Sequence, residues 1–260
     1  MMRLGLCCGD IFADPAVFER AASFGLDYLE AALPAIYDAP ESALREVLSE
    51  SRRTGVPVRA AYLFFREGSV TGPDSVTEAM LRYARTALDK AASLGVRKAV
   101  LGAGFARRLP EGMDRVEGLR RFGDFLGKLG ETAQAAGVQI ALEPLNRKET
   151  DLICTVAEAA EFLRAVQAPN VGLVCDLYHI FCEDEPFSEI VHAGSLVAHA
   201  HFCEPEGRQM PLPGREEYYR AFFDTLAQAG YAQREVSLEC GFDDNAQLMR
   251  GVRVFRSLGV

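Results

Sequence analysis

No stretch of the sequence approaches the roughly 18 consecutive apolar residues of a membrane span, so no transmembrane helix and no membrane partner are expected. The opening MMRLGLCCGDIF turns polar at Asp10 after a short apolar run and reads as a first strand, not a leader peptide. A cytoplasmic location follows as the expectation. Basic residues never form a long run, and the formal net charge is −9. A field of that sign repels phosphate backbones and argues against nucleic acid as a partner, although Arg107 with Arg108 could form a local basic patch. No CxxC pair occurs among the seven cysteines; reduced, mostly buried thiols are expected. No GxGxxG follows the first strand, and Gly102 and Gly104 in LGAGF lack a third glycine at the right offset, which argues against a dinucleotide fold.

What is present is a regular alternation over all 260 residues, with 49% hydrophobic and 25% charged positions, as in ordinary globular proteins. Short apolar or β-branched runs at 3–8, 27–32, 58–63, 98–103, 138–143, 171–176, 196–202 and 235–240 read as strands. Amphipathic segments lie between them. Their expected starts are Asp14-Pro15, Pro40-Glu41, Pro73-Asp74-Ser75, Asp114, Thr155, Asp184, Gly214 and Asp243 or Asp244. Gly25, Gly55, Gly95, Gly137 and Gly230 fall where helices should stop before the next strand. Eight strands alternating with eight helices at this length predict an α/β fold, a single (β/α)8 TIM barrel, as one domain over 1–260. The stretches 64–74 and 103–114 are the longest loops and candidate lids. Phe64, Phe65 and Phe105 in them are candidates for the pocket wall.

In such a barrel, chemistry belongs at the C-terminal ends of the strands. The fifth strand ends in Glu143, the sixth in Asp176, the seventh in His201 and the eighth in Glu239. Side-chain alternation groups Ala141 with Glu143, His199 with His201, and Ser237 with Glu239. With those faces inward, three carboxylates and one imidazole converge on the barrel axis. Crowded carboxylates would force at least one to take up a proton, a conflict that a divalent cation removes. Carboxylate oxygens with one imidazole suit Mn²⁺, Co²⁺ or Mg²⁺, with Zn²⁺ as the remaining candidate. A single acidic residue at a strand end is ordinarily a helix cap or an ion-pair partner; four metal-competent side chains on four successive ends are hard to obtain by accident. His192 falls in a helical stretch and reads as structural. His199, one layer below His201, is either a buried support for the site or a core histidine.

The neighbours of these residues carry a resemblance. ALEPLNRKE at 141–149, CDLYH at 175–179, HAHFCEPEGRQMP at 199–211 and SLEC at 237–240 resemble the xylose isomerase-like barrel superfamily. Within it they look most like the sugar phosphate isomerase/epimerase group that includes the D-tagatose and D-psicose 3-epimerases. The likeness runs in order over roughly the second half of the chain, and GAGFARRLPEG at 102–112 is similar to a segment of uncharacterised members. The resemblance implies one divalent metal ion on Glu143, Asp176, His201 and Glu239, with Glu143 and Glu239 also serving as the acid/base pair. It implies substrate contacts from Glu149, His179 and Arg208, and assembly into a homo-oligomer. Two departures stand out. Arg208 lies seven residues after His201, one more than the epimerase spacing, and Pro144 after Glu143 is shared with the hydroxypyruvate isomerase branch.

The activity so implied is that of a metal-dependent isomerase or epimerase, interconverting ketoses or related hydroxy-ketones through a metal-stabilised enediolate. Rivals are a metal-dependent dehydratase of the inosose or dehydroshikimate type, a hydroxypyruvate isomerase, and a catalytically silent sugar-binding barrel. A Schiff-base aldolase needs a lysine near a strand end, and of the four lysines only Lys148 could reach. A three-zinc DNA-repair site of the endonuclease IV kind would need more than four histidines and a less acidic chain. The loops after strands seven and eight lack a glycine-rich phosphate grip, which favours an unphosphorylated substrate.

Overall fold

Local chemistry sets the helix boundaries. The side chains of Asp114, Thr155 and Asp244 accept hydrogen bonds from the N–H groups of Val116, Glu158 and Gln247, donors that a first helical turn leaves free. Gly25, Gly55, Gly95 and Gly137 close their helices with positive φ. The computed structural model describes residues 1–232 and 234–260. Its strands are β1 (Arg3–Cys7), β2 (Tyr28–Ala32), β3 (Val58–Tyr62), β4 (Lys98–Leu101), β5 (Gln139–Leu142), β6 (Val171–Asp176), β7 (Val197–Phe202) and β8 (Glu235–Leu238). The helices between and after them are α1 (Val17–Phe24), α2 (Leu33–Asp38), α3 (Glu41–Thr54), α4 (Asp74–Leu94), α5 (Arg115–Ala136), α6 (Val156–Val166), α7 (Leu177–Cys182), α8 (Ser188–Ala193), α9 (Glu216–Gln228) and α10 (Asn245–Leu258).

All eight expected strands form, each within two residues of its predicted ends. They pair in chain order and in parallel, and β1 closes on β8. The fold is therefore the expected (β/α)8 barrel. Two short helices, α2 and α7, replace expected loops. The first accommodates Pro34 in its opening turn, and the second starts directly after Asp176. Asp184 does not open the sixth helix. It sits at φ 50° in the turn after α7, and α8 begins at Ser188.

The apolar outer faces of the strands, such as Leu142, Leu173, Phe202 and Leu238, pack against the helices. Inside, Val100, Ala141, Val174 and Ala198 form a small apolar layer with Tyr62 beside it. Polar groups share the interior. Near the N-terminal ends of the strands, Glu235 meets Arg3 at 3.0 Å, Arg59 at 2.5 Å and Lys98 at 3.0 Å. Tyr28 crosses in front of Gly5, where a Cβ would lie 2.3 Å from its ring, and its hydroxyl meets Ser237 at 2.8 Å. Along β8 the series Glu235, Ser237, Glu239 thus rises from the ion cluster towards the C-terminal mouth. Among the described residues, no helix is long and apolar enough to cross a membrane.

Candidate active site

Each site residue is placed by a strand end. Glu143 and Glu239 follow β5 and β8 by one residue, and their N–H groups still donate to Leu101 and Phe202 carbonyls across the ladder, at 3.2 Å each. Asp176 closes β6 and pairs in register with His201 on β7, which in turn pairs with Ser237. One ligand atom from each of Glu143, Asp176, His201 and Glu239 lies within 4.8 Å of the others. The structure therefore brings together the four residues that strand-end reading selected.

His201 is the hub. Its Nδ1 lies 3.0 Å from Glu143 Oε1 and 3.1 Å from Glu239 Oε2. Its Nε2 lies 3.1 Å from Glu30 Oε1. Glu30, on β2, is fully buried; its other oxygen meets His199 Nε2 at 2.8 Å and accepts from the Ser237 hydroxyl at 2.5 Å. Burial alone would raise the Glu30 carboxyl, but the charges and hydrogen bonds of His199 and His201 hold it well below the usual range. His199 is accordingly a support for the site, and burial lowers its own pKa. Glu30 was not singled out from sequence. Its one signal is an acidic residue in the middle of the otherwise apolar run YLEAA.

The electrostatics show a site short of positive charge. Burial, then Glu239 and Glu143, push Asp176 well above the usual carboxylate range. Asp176 Oδ1 accepts from Tyr178 N–H at 2.8 Å and caps α7, while Oδ2 is buried without a hydrogen-bond partner. Burial opposes a charged His201, yet Glu239 and Glu30 raise its pKa well above normal. Glu239 is held low against burial by His201 and by Arg208, whose Nη2 is 2.7 Å from Glu239 Oε2. Three carboxylates, two buried and one half-buried, with one oxygen of Asp176 unpartnered, and a buried imidazole form a donor set that fits a hard divalent cation.

The loops complete the wall. His179 Nδ1 accepts from the backbone N–H of Asn146 at 3.1 Å, so the ring proton sits on Nε2, which has no partner. Burial pushes His179 down to about 4, which keeps it a neutral donor. The Glu149 carboxylate accepts from Asn146 Nδ2 at 2.8 Å. Arg208, at φ 47°, stacks its guanidinium 4.6 Å from the Tyr178 ring centre. Glu143, Glu149, His179, Arg208 and Glu239 line one cavity of about 410 Å³. Phe65 and Phe105 also line it, whereas Phe64 is buried in the core and does not. Gly102 stands against the site for a steric reason, since a Cβ there would lie 2.0 Å from Glu143 Oε2. Arg107 and Arg108 do not form a basic patch. Arg107 is buried, donates to the Glu143 carbonyl at 2.8 Å and is lowered to about 10 by burial, while Arg108 is exposed at the rim of the cavity.

A parallel barrel with a carboxylate–imidazole cluster at its C-terminal mouth defines a class of metal-site barrels. The Xylose isomerase-like TIM barrel model matches residues 18–258, and the chain belongs to that family. It is 24% identical over 210 residues to the D-psicose 3-epimerase of Agrobacterium fabrum, a match covering 77% of this chain and 71% of the relative. It is 34% identical over 108 residues to the L-ribulose 3-epimerase of Mesorhizobium japonicum, covering 41% of this chain and 36% of that protein. The crystal structure of the D-allulose 3-epimerase from a Methylomonas species superposes with a TM-score of 0.83 at 22% identity, over 100% of this chain and 98% of the other. At that identity the superposition speaks to shared fold.

Proposed function

We propose that the protein is a metal-dependent sugar epimerase or isomerase acting on ketoses or related hydroxy-ketones, with Glu143 and Glu239 as its acid/base pair. The observation that carries this reading is that Glu143 and Glu239 both border His201 Nδ1 and both line the cavity, so two carboxylates face one substrate position. The named epimerases among the relatives agree with it.

Glu143, Asp176, His201 and Glu239 would hold the divalent ion. When bound, such an ion supplies positive charge to a ketone oxygen and its neighbouring hydroxyl, which acidifies the adjoining C–H. The protein's own groups do the rest. Glu239, kept anionic by His201 and Arg208, is suited to take the proton from carbon. His179 offers its Nε2–H to the oxygen on which charge gathers, and as a neutral ring it donates without adding a cation. Glu143, the second carboxyl at the same position, returns a proton to the same carbon from the opposite face, inverting it. The two carboxyls then reset by exchange with water. Return to the neighbouring carbon gives aldose–ketose isomerisation instead. Glu149 and Arg208 are placed to bind substrate hydroxyls from the wall.

The test is turnover of a ketose panel by Glu143→Gln and Glu239→Gln. Each should lose about 10²–10⁴-fold, the usual worth of general acid/base catalysis. A variant that keeps more than about a tenth of wild-type turnover rejects its carboxylate as acid or base.

A further inference from the structure

Two cations line the cavity away from the carboxylate–imidazole cluster, Arg108 and Lys148. Among the described residues neither makes an ion pair, in a chain of net charge −9. Their neighbours differ. Arg147 is taken up by Glu183 and Glu158, and Arg208 by Glu239. The cavity's own carboxylates are also engaged: Glu143 and Glu239 border His201, and Glu149 accepts from Asn146. Among the described residues Arg108 and Lys148 are thus the lining cations without an ion pair, and the Glu149 carboxylate is held by the neutral Asn146 amide.

Their mounting is fixed to the catalytic strand end. The loop after β4 is joined to the loop after β5 at several places, among them Leu109 N–H, which donates to Asp151 Oδ2 at 2.9 Å. Arg107 donates to the Glu143 carbonyl at 2.8 Å, Arg108 Nη2 donates to the Lys148 carbonyl at 2.9 Å, and Gly104 packs so close that a Cβ would lie 2.8 Å from the Glu149 carbonyl. The Arg107 guanidinium is buried, so the Arg108 backbone is held at a set place relative to Glu143. Leu63 and Phe105, 53% and 45% exposed, line the same cavity and supply low-dielectric surface beside the two cations.

We infer that Arg108 and Lys148 form an anion subsite, and that the substrate is a ketose or hydroxy-ketone carrying a phosphate or carboxylate at the end remote from the ketone. This rests on the reading of the site proposed above and deepens it. Arginine presents a planar fork to such a group and lysine a mobile point charge, so together they suit an oxyanion with several acceptor oxygens. A glycine-rich phosphate grip after β7 and β8 is not needed, because the anion is met on the other side of the mouth, by side chains after β4 and β5.

The test is calorimetric titration of the Mn²⁺-loaded protein with D-fructose, D-fructose 6-phosphate and D-fructuronate, for wild type and for the double variant Arg108→Gln, Lys148→Gln. At least one anionic compound should bind about ten-fold more tightly than D-fructose, a reasonable sum for two exposed ion pairs. In the double variant that ratio should fall towards one, with metal content and melting temperature as in wild type. Tighter binding of the 6-phosphate identifies phosphate, and tighter binding of D-fructuronate identifies carboxylate. Equal affinities in the wild type, or a preference that survives in the double variant, would overturn the subsite. Deuterium uptake from D₂O by the same compounds separates the two proposals. A preference without uptake removes the epimerase reading and leaves the subsite, whereas uptake without a preference removes the subsite alone.

Discussion

The carboxylate of Glu30 on β2 reaches across the barrel to His201 on β7, 171 residues later, and its Oε1 lies 3.1 Å from the ring Nε2. An imidazole that gives its Nε2–H to a carboxylate presents Nδ1 as a lone pair, and Nδ1 is the nitrogen between Glu143 and Glu239. Glu30 therefore sets which nitrogen of His201 faces the cluster.

Replacing Glu30 by Gln should lower metal affinity by about 10–100-fold, as for other partners that orient a ligating histidine. Competition against a chelating dye reads this, with circular dichroism to verify the fold. Wild-type affinity in a folded variant would mean that His201 is oriented without Glu30.

Metal affinity should depend on pH, with a definite sign. Burial disfavours a charged His201, but Glu239 and Glu30 raise its pKa well above normal, so the metal-free site holds a proton that a cation must displace. Binding then releases protons, and affinity rises as pH rises towards the folded-state pKa of His201. Titrations in two buffers of different ionisation enthalpy measure the protons released. A buffer-independent heat would contradict this.

Gly102→Ala places a Cβ 2.0 Å from the present position of Glu143 Oε2, so the carboxylate must move. Displacing a reacting group by about 1 Å costs on the order of 10²-fold in rate. Turnover should fall by about that factor with little change in melting temperature. Wild-type turnover would show that the position of Glu143 is not critical.

At the other end of the barrel, Glu235 is a stability element. Burial would raise its carboxyl, but Lys98 and Arg59 lower it. A folded-state pKa below the unfolded value gives stabilisation that is complete above the unfolded pKa and is lost as pH falls through the folded one. Glu235→Gln leaves the largely buried Lys98 without its partner and should cost about 3 kcal/mol near neutral pH. Denaturant melts at pH 7 and at pH 3 should show the gap between variant and wild type closing in acid. A gap that widens in acid would contradict the assignment.

Much of this was legible in the chain. The strands are short apolar runs bounded by glycine stops, and inward alternation at four successive strand ends selected Glu143, Asp176, His201 and Glu239. The rest depended on contacts between distant segments. Glu30 is an acidic residue inside an apolar strand, and its partners lie 169 and 171 positions away. Arg107 and Arg108 are adjacent and chemically alike, yet one is buried against the Glu143 carbonyl and the other reaches the rim. Phe64 and Phe65 are both packed in the core, but only Phe65 also borders the cavity. Asp184 looked like a helix cap because Asp favours caps, but Asp also tolerates positive φ, and the turn after α7 uses that property.

The central claim, proton abstraction beside a ketone by a metal-loaded site, is tested most directly by locating deuterium. The metal-loaded protein is incubated in D₂O with a panel of ketoses and hydroxy-ketones, with and without chelator, and label is placed by NMR. The expected result is chelator-sensitive label on the carbon next to the ketone, at C3 with two epimers present, or at C1 or C2 with an aldose product. Metal-loaded protein that introduces no label into any compound would contradict the claim.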